Sequence, residues 1–429
     1  RISYFCSRPK HTENMKLHRR SKNNKKPVIR QVLDLVPEFI LRHSIRKYQS
    51  DKGCHKYKTY DQLVALSFGQ LGKCYTLSDI SCGLSISSTF MVDLGLKQNP
   101  VKSTMSDGNK NRDYRVFEDI YYQLIKYYGR TLTDKRERSV IEEVKNETIK
   151  LIDSSTVSLC LNLFDWAKFR TAKGGLKIHT VWDDTLGLPD YINVTDAKLH
   201  DSKGLVSQIF PKGTIVVEDR AYFDFELFKK RIDAKNIFVT RLKSNILYES
   251  IEELDLPDDR DQNILKDELI KFTSKDALKA GLEDQIFRLV TVYKEDENKV
   301  IHLITNQIDW QAITIADLYK KRWDIEIFFK LMKQNLQIKT FLGTSENAVK
   351  SQIYVAMIVF LLLELIRRVY CKNKTGFSNF CEKVRICLLH YLSFEYLCSI
   401  NGKVHKVEKL PDKSLFDQDE FCVQAELFS

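Results

Sequence analysis

Several protein classes are excluded by what this sequence of 429 residues lacks. Its 16 glycines form neither of the phosphate-binding loops G-x-G-x-x-G and G-x-x-x-x-G-K-S/T, which argues against the common nucleotide-binding folds. None of its ten cysteines belongs to a C-x-x-C pair or to a cysteine–histidine zinc spacing. A disulfide scaffold is not expected in so long a chain, so we expect a reduced, cytoplasmic protein.

Long apolar runs are nearly absent as well. The first ten residues, RISYFCSRPK, contain no apolar stretch of the kind that a signal peptide needs, and Met15 is a candidate translation start. The longest apolar run, residues 353–366, holds about 14 residues with Glu364 among them, which is short for a bilayer span. This run predicts a buried core helix, and we expect no membrane partner.

Positive charge is concentrated at the start of the chain. The whole sequence has a net charge of +11, and residues 1–60 contain 16 Lys or Arg against 4 Asp or Glu. Such an excess is typical of proteins that bind nucleic acid, because neutralised phosphates provide most of the non-specific affinity. A solvated, disordered arm is the alternative explanation of the same charges.

The first third of the chain has a helical pattern. Residues 27–135 carry apolar residues at helical spacing. A turn rich in Ser, Thr and Asn contains Lys102, Lys110, Arg112 and Arg115. A small helical domain with such a basic turn could read DNA, and ordinary solvated surface explains the same residues equally well.

The middle of the chain has a mixed pattern. Short β-rich runs predict strands at 149–153, 176–182, 188–195, 214–219, 237–242 and 300–306. Helices are predicted at 200–210 and 223–233, so the expected fold class is α/β with a mixed sheet. An acidic stretch, residues 245–299, interrupts this pattern as an insertion, and the chain is helical again after residue 341.

One stretch, residues 314–340, is predicted to be a single long helix with an unusual polar stripe. At about 100° per residue, Tyr319, Arg322, Glu326 and Lys333 fall within roughly 60° of one another. An adjoining apolar stripe forms the expected core face and consists of Leu318, Ile325, Phe328, Phe329, Met332 and Leu336. A carboxylate between two cations and a phenol, beside a buried face, suggests a functional surface.

Two upstream aspartates are candidate partners of Glu326. Asp153 and Asp219 each end a predicted strand, where their carboxylates can point into one shared space. Three oxygen ligands without histidine or cysteine suit Mg²⁺ or Mn²⁺, which can activate a nucleophile and stabilise a leaving oxygen in phosphodiester chemistry. In the alternative interpretation Asp153 is a helix N-cap and Asp219 pairs with Arg220.

These residues resemble a known family. The helix contains Y-(2)-R-(3)-E-(6)-K with every gap correct, which is the signature of DDE transposases of bacterial insertion sequences, in the family usually numbered four. LIDSSTV and EDRAY resemble the blocks around the family's first and second aspartates, and KSTMSD resembles a turn that precedes the catalytic domain. The resemblance covers roughly residues 30–365.

The resemblance implies a fold and a chemistry. It implies a ribonuclease-H-like mixed-sheet catalytic domain with a β-containing insertion, preceded by a helical DNA-binding domain. Asp153, Asp219 and Glu326 would be the catalytic metal ligands for Mg²⁺, with Mn²⁺ able to substitute, while Tyr319, Arg322 and Lys333 would bind DNA phosphates. The partners would be double-stranded DNA at transposon ends and target, and a second copy in a homodimer, with the protein on the bacterial nucleoid when bound.

We accordingly expect four regions. They are a basic arm at 1–26, a helical DNA-binding domain at 27–135, a catalytic domain at 145–345 with its insertion at about 244–300, and a helical C-terminal region at 346–429.

Some aromatic and histidine residues have ordinary explanations. In family members that cut through a DNA hairpin, a tryptophan of the insertion stacks on a flipped base. Trp310 and Trp323 are the nearest here, and packing is the simpler expectation for both. His179 and His200 are expected to be core or surface residues and not metal ligands.

The sequence leaves three functions open. The leading one is a transposase that cuts and joins DNA at the terminal inverted repeats of its own element. A catalytically silent, transposase-derived DNA-binding or regulatory protein is the alternative, and a metal nuclease that cuts without joining would share the same site.

Overall fold

A mixed sheet dominates the second half of the chain. A computed structural model describes residues 26–136, 140–159, 168–169, 173–196, 210–257, 261–371 and 375–399. Nearly all of the basic arm, the helix predicted at 200–210 and His200 lie outside these described residues.

Ten strands form one sheet in the part of the chain that is described. They are β1 (Ile149–Leu159), β2 (Lys168–Phe169), β3 (Lys173–Asp183), β4 (Leu188–Asp196), β5 (Ile215–Glu218), β6 (Ile237–Arg241), β7 (Tyr248–Glu253), β8 (Ile264–Phe272), β9 (Phe287–Lys294) and β10 (Lys299–Thr305). Their order is β2-β3-β1-β5-β6-β10-β9-β8-β7, and β4 pairs with β3.

The strand directions identify the type of sheet. The run β4-β3-β1 is antiparallel, whereas β5 and β6 continue it parallel to β1. This order and these directions are those of a ribonuclease-H-like sheet. The remaining strands β10, β9, β8 and β7 extend it in antiparallel fashion, and three of them lie in the predicted insertion. The α/β class with a mixed sheet is therefore confirmed.

The first strand is longer than its sequence predicts. β1 continues past Asp153 to Leu159, because β3 pairs with it along the whole length. Its parallel neighbour β5 pairs with it only from Ile149 to Ile152. The expectation that Asp153 ends a strand is therefore wrong, and Asp153 lies inside β1 where the neighbouring strand ends.

Fourteen α-helices accompany this sheet in the described part of the chain. They are α1 (Val28–Leu33), α2 (Glu38–Tyr48), α3 (Thr59–Gly72), α4 (Leu77–Leu84), α5 (Ser88–Asp93), α6 (Lys102–Asn111), α7 (Arg115–Asp134), α8 (Phe225–Asp233), α9 (Lys275–Lys279), α10 (Ala312–Lys320), α11 (Trp323–Asn335), α12 (Glu346–Tyr370), α13 (Phe377–Ile386) and α14 (Phe394–Ser399). Short 3₁₀ turns lie at Glu142–Val144, Arg220–Tyr222 and Glu295–Glu297.

The long apolar helix α12 forms the centre of the helical core. By length and composition it could cross a membrane, but 94% of its most apolar window is buried by the rest of the protein. It packs against α7, α3 and α6 from the first third of the chain and against α13 and α14 from the last. The prediction of a buried core helix at 353–366 is confirmed.

Alternation along the central strands separates two faces of the sheet. Ile149, Leu151 and Val157 of β1 belong to the large core under the helices, whereas Ile152 belongs to a small cluster on the opposite face. Side chains of a strand alternate between faces, so odd-numbered residues of β1 point toward the helices. Asp153 therefore faces the same side as Leu151.

Seven helices, α1 to α7, lie within the described residues 28–134, and whether they form a DNA-binding domain stays a prediction.

One residue of their basic turn is not at the surface. Arg112 is only 5% exposed and donates hydrogen bonds to the carbonyl oxygens of Ser50 (3.1 Å) and Tyr57 (2.6 Å) and to Gln62 Oε1 (2.5 Å). Its role in the basic turn is therefore to hold the helices together.

We predict that Arg112→Met lowers the free energy of unfolding by about 3 kcal/mol, because it removes three hydrogen bonds from a buried guanidinium, two of them to buried residues. Thermal unfolding followed by circular dichroism measures the change. Lys110→Ala, at an exposed position two residues earlier in α6, serves as the control and should stay within about 0.5 kcal/mol of the wild type. Equal midpoints for the two variants would contradict this assignment.

Candidate active site

Three carboxylates meet at one guanidinium group above the central strands. Arg322 Nη1 lies 2.6 Å from Glu326 Oε1, 3.3 Å from Asp153 Oδ2 and 3.8 Å from Asp219 Oδ2. The side chains of Arg322 and Asp153 are 16% exposed, and those of Asp219 and Glu326 are about twice as exposed. The four residues form a partly buried group, which we call the carboxylate cluster.

The sheet positions the two aspartates. Asp153 points from β1 toward the helices, and its Oδ1 accepts a hydrogen bond of 2.7 Å from the backbone N–H of Ser154. Asp219 follows the last residue of β5 directly and caps the 3₁₀ turn Arg220–Tyr222, where its Oδ1 accepts from Ala221 N at 3.0 Å. β1 and β5 are parallel neighbours, so residues at this level lie beside each other.

The arginine and the glutamate come from a break between two helices. The expected single helix over 314–340 is wrong, because α10 ends at Lys320 and α11 begins at Trp323. Between them the backbone tightens: Arg322 N donates to Tyr319 O at 3.1 Å, an i→i−3 bond. Arg322 stands at this break and Glu326 one turn later, which places both over β1.

The apolar face of this segment agrees with its sequence pattern. All six residues of the predicted stripe are buried, namely Leu318, Ile325, Phe328, Phe329, Met332 and Leu336. Phe328 contacts Trp182 of β3 and Phe360 of α12, with ring centroids 5.3 Å and 5.2 Å away. α11 is therefore held between the sheet and the central helix.

Two further signature residues lie at different distances from the carboxylate cluster. The ring of Tyr319 is 5.5 Å from the guanidinium carbon of Arg322, within range of a cation–π contact. Lys333 lies seven residues beyond Glu326, about 10 Å along the helix axis. Burial, together with the nearby Lys339, lowers the pKa of the Lys333 ammonium. Tyr319 thus contacts the cluster through Arg322, and Lys333 extends the surface beside it.

Charge in the cluster is unbalanced, since three carboxylates face one guanidinium. Burial raises the pKa of Asp153 to about 7, and the carboxylates of Asp219 and Glu326 add to this, while Arg322 opposes it. An additional cation would relieve this repulsion.

The donor set fits a divalent metal ion in its chemistry. Carboxylate oxygens alone suit Mg²⁺ and Mn²⁺. Among the described residues, however, no three such side chains are grouped closely enough to hold an ion as they stand. Arg322 Nη1 lies at the point where the carboxylates converge. We conclude that Asp153, Asp219 and Glu326 could ligate a metal once this guanidinium had moved.

Sequence reasoning missed a second group of charges near the break. Lys321 Nζ lies 3.3 Å from Asp184 Oδ2, and both side chains are buried. Arg136 approaches Asp184 at 3.6 Å and Asp324 at 3.5 Å. No local signal marks this group, because its members come from three distant parts of the sequence.

The histidine and tryptophan expectations have mixed outcomes. His179 is fully buried and its ring nitrogens contact the hydroxyl groups of Tyr222 and Thr195, as expected for a core residue. Trp310 is 9% exposed and packs in the core as expected. The packing expected for Trp323 is wrong, because this side chain is 52% exposed beside the cluster.

Comparison with known families identifies matching regions of the chain. The family model described as Transposase DDE domain matches residues 145–362. A domain of unknown function, DUF4372, matches residues 24–97.

Known relatives are similar over more than half of the chain. A putative transposase of Sinorhizobium fredii, y4zB, is 30% identical over 63% of this chain and 72% of its own length. A probable transposase for insertion sequence element IS5377 from Geobacillus stearothermophilus is 28% identical over 57% of this chain and 64% of its own length. A putative transposase for insertion sequence element IS4SA from Synechocystis is 28% identical over 62% of this chain and 71% of its own length. The chain thus spans between 64% and 72% of these relatives.

One solved transposase structure aligns with most of the chain. The alignment with a cryo-EM structure of piggyBac transposase, in a synaptic complex with hairpin DNA, covers 91% of this chain and 88% of the piggyBac chain. The TM-score is 0.43 and the sequence identity 11%.

We predict that Asp153→Asn makes the metal-free protein more stable at high pH. The pKa of Asp153 is about 7 in the folded chain and near 3.8 when unfolded, so folding loses stability as pH rises through this window. The asparagine cannot ionise and escapes this loss. The melting temperature of the variant minus that of the wild type, measured in chelator, should therefore increase from pH 5 to pH 8.

Asp79→Asn is the control for this experiment. Hydrogen bonds from Thr76 lower the pKa of Asp79, so this residue titrates below pH 4 in both states. Its effect on the melting temperature should be constant between pH 5 and pH 8. The assignment fails if Asp153→Asn behaves like this control.

Proposed function

Because this chain belongs to the transposases with a DDE domain, we propose that it binds the terminal inverted repeats of its own insertion sequence and catalyses metal-dependent cut-and-paste transposition there. The substrates would be the transposon ends and the target DNA, both double-stranded. Two copies would act together, one at each end. The protein would work in the bacterial cytoplasm, on the nucleoid.

The observation that carries this proposal is the convergence of three carboxylates on Arg322 Nη1. Asp153, Asp219 and Glu326 come from two adjacent strands and a covering helix. Mg²⁺, or Mn²⁺ in its place, would supply the Lewis-acid chemistry that phosphodiester cleavage and strand transfer require. The carboxylates would hold this charge where the scissile phosphate binds.

The cations and the phenol of the signature would bind the DNA backbone. Arg322 offers a planar fork for a phosphate and would turn from the carboxylates to the DNA when the metal ions bind. Tyr319 lies beside it, and Lys333 would contact a phosphate further along the strand. For these roles the three residues must lie along one surface. Tyr319 lies near the end of α10, Arg322 at the break and Lys333 in α11, an order that is compatible with such a surface.

The N-terminal helices would bind the terminal repeats. Lys102 and Lys110 of α6 are exposed and available for phosphate contacts. Arg115, by contrast, pairs with Asp113 at 2.5 Å, and Arg112 is buried. The basic arm would add non-specific affinity, because its surplus of positive charge releases counterions from DNA.

A catalytically silent DNA-binding or regulatory protein is the second candidate. The buried carboxylate of Asp153 argues against a silent protein. Burial raises the pKa of this carboxylate, which means that its charge is destabilised in the folded chain, and replacing Asp153 by a neutral residue would remove that cost. One carboxylate would be enough to pair with Arg322, so a chain without catalysis would not need all three.

The deciding experiment is cleavage of DNA that carries the ends of the element. We expect cutting with Mg²⁺ or Mn²⁺, none with chelator, and none by Asp153→Asn or Glu326→Gln, although both variants still bind the ends. Asp309→Asn, at an exposed position just before α10, is the matched control and should cut like the wild type. Binding without cutting under every metal condition would favour the silent protein.

We further predict that Arg322→Gln binds Mn²⁺ more tightly than the wild type in the absence of DNA, by roughly tenfold. The substitution removes the cation that competes for the three carboxylates. Isothermal titration calorimetry measures the affinity. Arg220→Gln removes an exposed cation next to Asp219 and controls for general electrostatics; if both variants bind Mn²⁺ alike, the central position of Arg322 has no special effect.

A further inference from the structure

A buried ion pair holds the break between α10 and α11 from a second direction. Lys321 Nζ lies 3.3 Å from Asp184 Oδ2, and these side chains are 7% and 2% exposed. Asp184 follows β3, and its backbone N–H donates to Ile149 O at 3.1 Å, at the start of β1. The pair therefore ties the break to the beginning of the strand that carries Asp153.

The two neighbours at the break reach opposite ends of this stretch of β1. Asp153 lies four residue steps along the strand from Ile149, about 13 Å. Lys321 reaches toward Asp184 beside the first of these residues, while Arg322 reaches Asp153. The consecutive side chains of Lys321 and Arg322 thus fix where the helical break lies over β1 and how the helix is rotated about its axis there.

A third residue closes the arrangement. Arg136, after the end of α7, lies 3.6 Å from Asp184 and 3.5 Å from Asp324 in the first turn of α11. Lys321 and Asp324 are thus both tied to this group. These two residues flank Arg322 in the chain, so the backbone on either side of the arginine is held.

Stability alone does not account for this ion pair. Burying two charges costs as much as their attraction returns, and a well-packed apolar pair of similar size is often as stable. What a charged pair adds is a defined geometry. That geometry matters here, because moving the break by one residue would rotate Glu326 by about 100° and take it away from Asp153.

We propose that Asp184 and Lys321 are positioning residues of the active site. They fix the helical break so that Arg322 and Glu326 face Asp153 and Asp219, and neither of them touches the substrate. The inference rests on the proposed metal-dependent function, since its consequence is the geometry of the metal ligands.

A second buried pair provides a matched control. Arg288 Nη2 lies 2.6 Å from Asp267 Oδ2, with side-chain exposures of 7% and 2%, the same as in the first pair. Asp267 and Arg288 belong to β8 and β9 of the extended sheet. Arg288 also donates to the carbonyl oxygens of Ile308 and Trp310, before the start of α10, but only the first pair contacts the break itself. Loss of either pair should reduce stability.

The test compares Asp184→Asn, Lys321→Met and Asp267→Asn in the full chain. We expect all three to lower the melting temperature. Asp184→Asn and Lys321→Met should also weaken Mn²⁺ binding in calorimetry roughly tenfold or more, the usual effect of losing a residue that orients metal ligands. Their cleavage kcat should fall while the affinity for end DNA stays unchanged. Asp267→Asn should keep the Mn²⁺ affinity and the kcat of the wild type.

A double variant keeps the test decisive if the single variants fold poorly. Asp184→Leu with Lys321→Met removes both charges together, so most of the stability should remain. We expect it to have the same weakened Mn²⁺ affinity as the single variants. Lys321→Arg, which preserves the charge, should recover most of the wild-type affinity.

Two outcomes separate the inference from the function on which it rests. If the wild type binds Mn²⁺ and cuts DNA but Asp184→Asn does both equally well, Asp184 and Lys321 are merely structural and the inference is wrong. If the wild type neither binds Mn²⁺ nor cuts, the proposed function fails first.

Discussion

The attraction between one guanidinium and three carboxylates is the constraint to which the surrounding structure is adjusted. Without a cation between them, Asp153, Asp219 and Glu326 would repel one another across a partly buried space. Arg322 provides that cation. Its position requires odd-numbered residues of β1 to face the helices, β5 to end early and the covering helix to break at the arginine. Each of these features has its own local cause, and they meet at this point.

Sequence periodicity predicted the parts of the site that depend on local structure. The alternation of β-rich runs located the strands that carry Asp153 and Asp219, and helical spacing located the buried face of α11. The length of β1 could not be read in this way, because pairing with β3 decides where the strand ends. The boundaries of a strand therefore depend on tertiary pairing, even where the existence of the strand can be predicted from local sequence.

The break between α10 and α11 is the clearest case of a feature that the sequence hides. Neither proline nor glycine marks it, and the spacing of apolar and signature residues remains nearly helical across it. Its visible anchors are ion pairs with Asp184 and Asp153, which are more than 130 residues away in the chain. The same reason applies to Arg112, which looks like one cation of a basic turn until its buried acceptors are known.

The carboxylate cluster opposes the stability of the folded chain. Asp153 is held in a place where burial penalises its charge and, with the neighbouring carboxylates, raises its pKa to about 7 in spite of Arg322. Buried apolar contacts, such as those of α11 with Trp182 and Phe360, must offset it. A folded chain that tolerates such a carboxylate would favour added positive charge at this place. A bound cation would remove the repulsion between the carboxylates, and its binding would be stronger by that amount. The unbalanced charge is thus the physical feature of this fold that would favour a bound cation at the cluster.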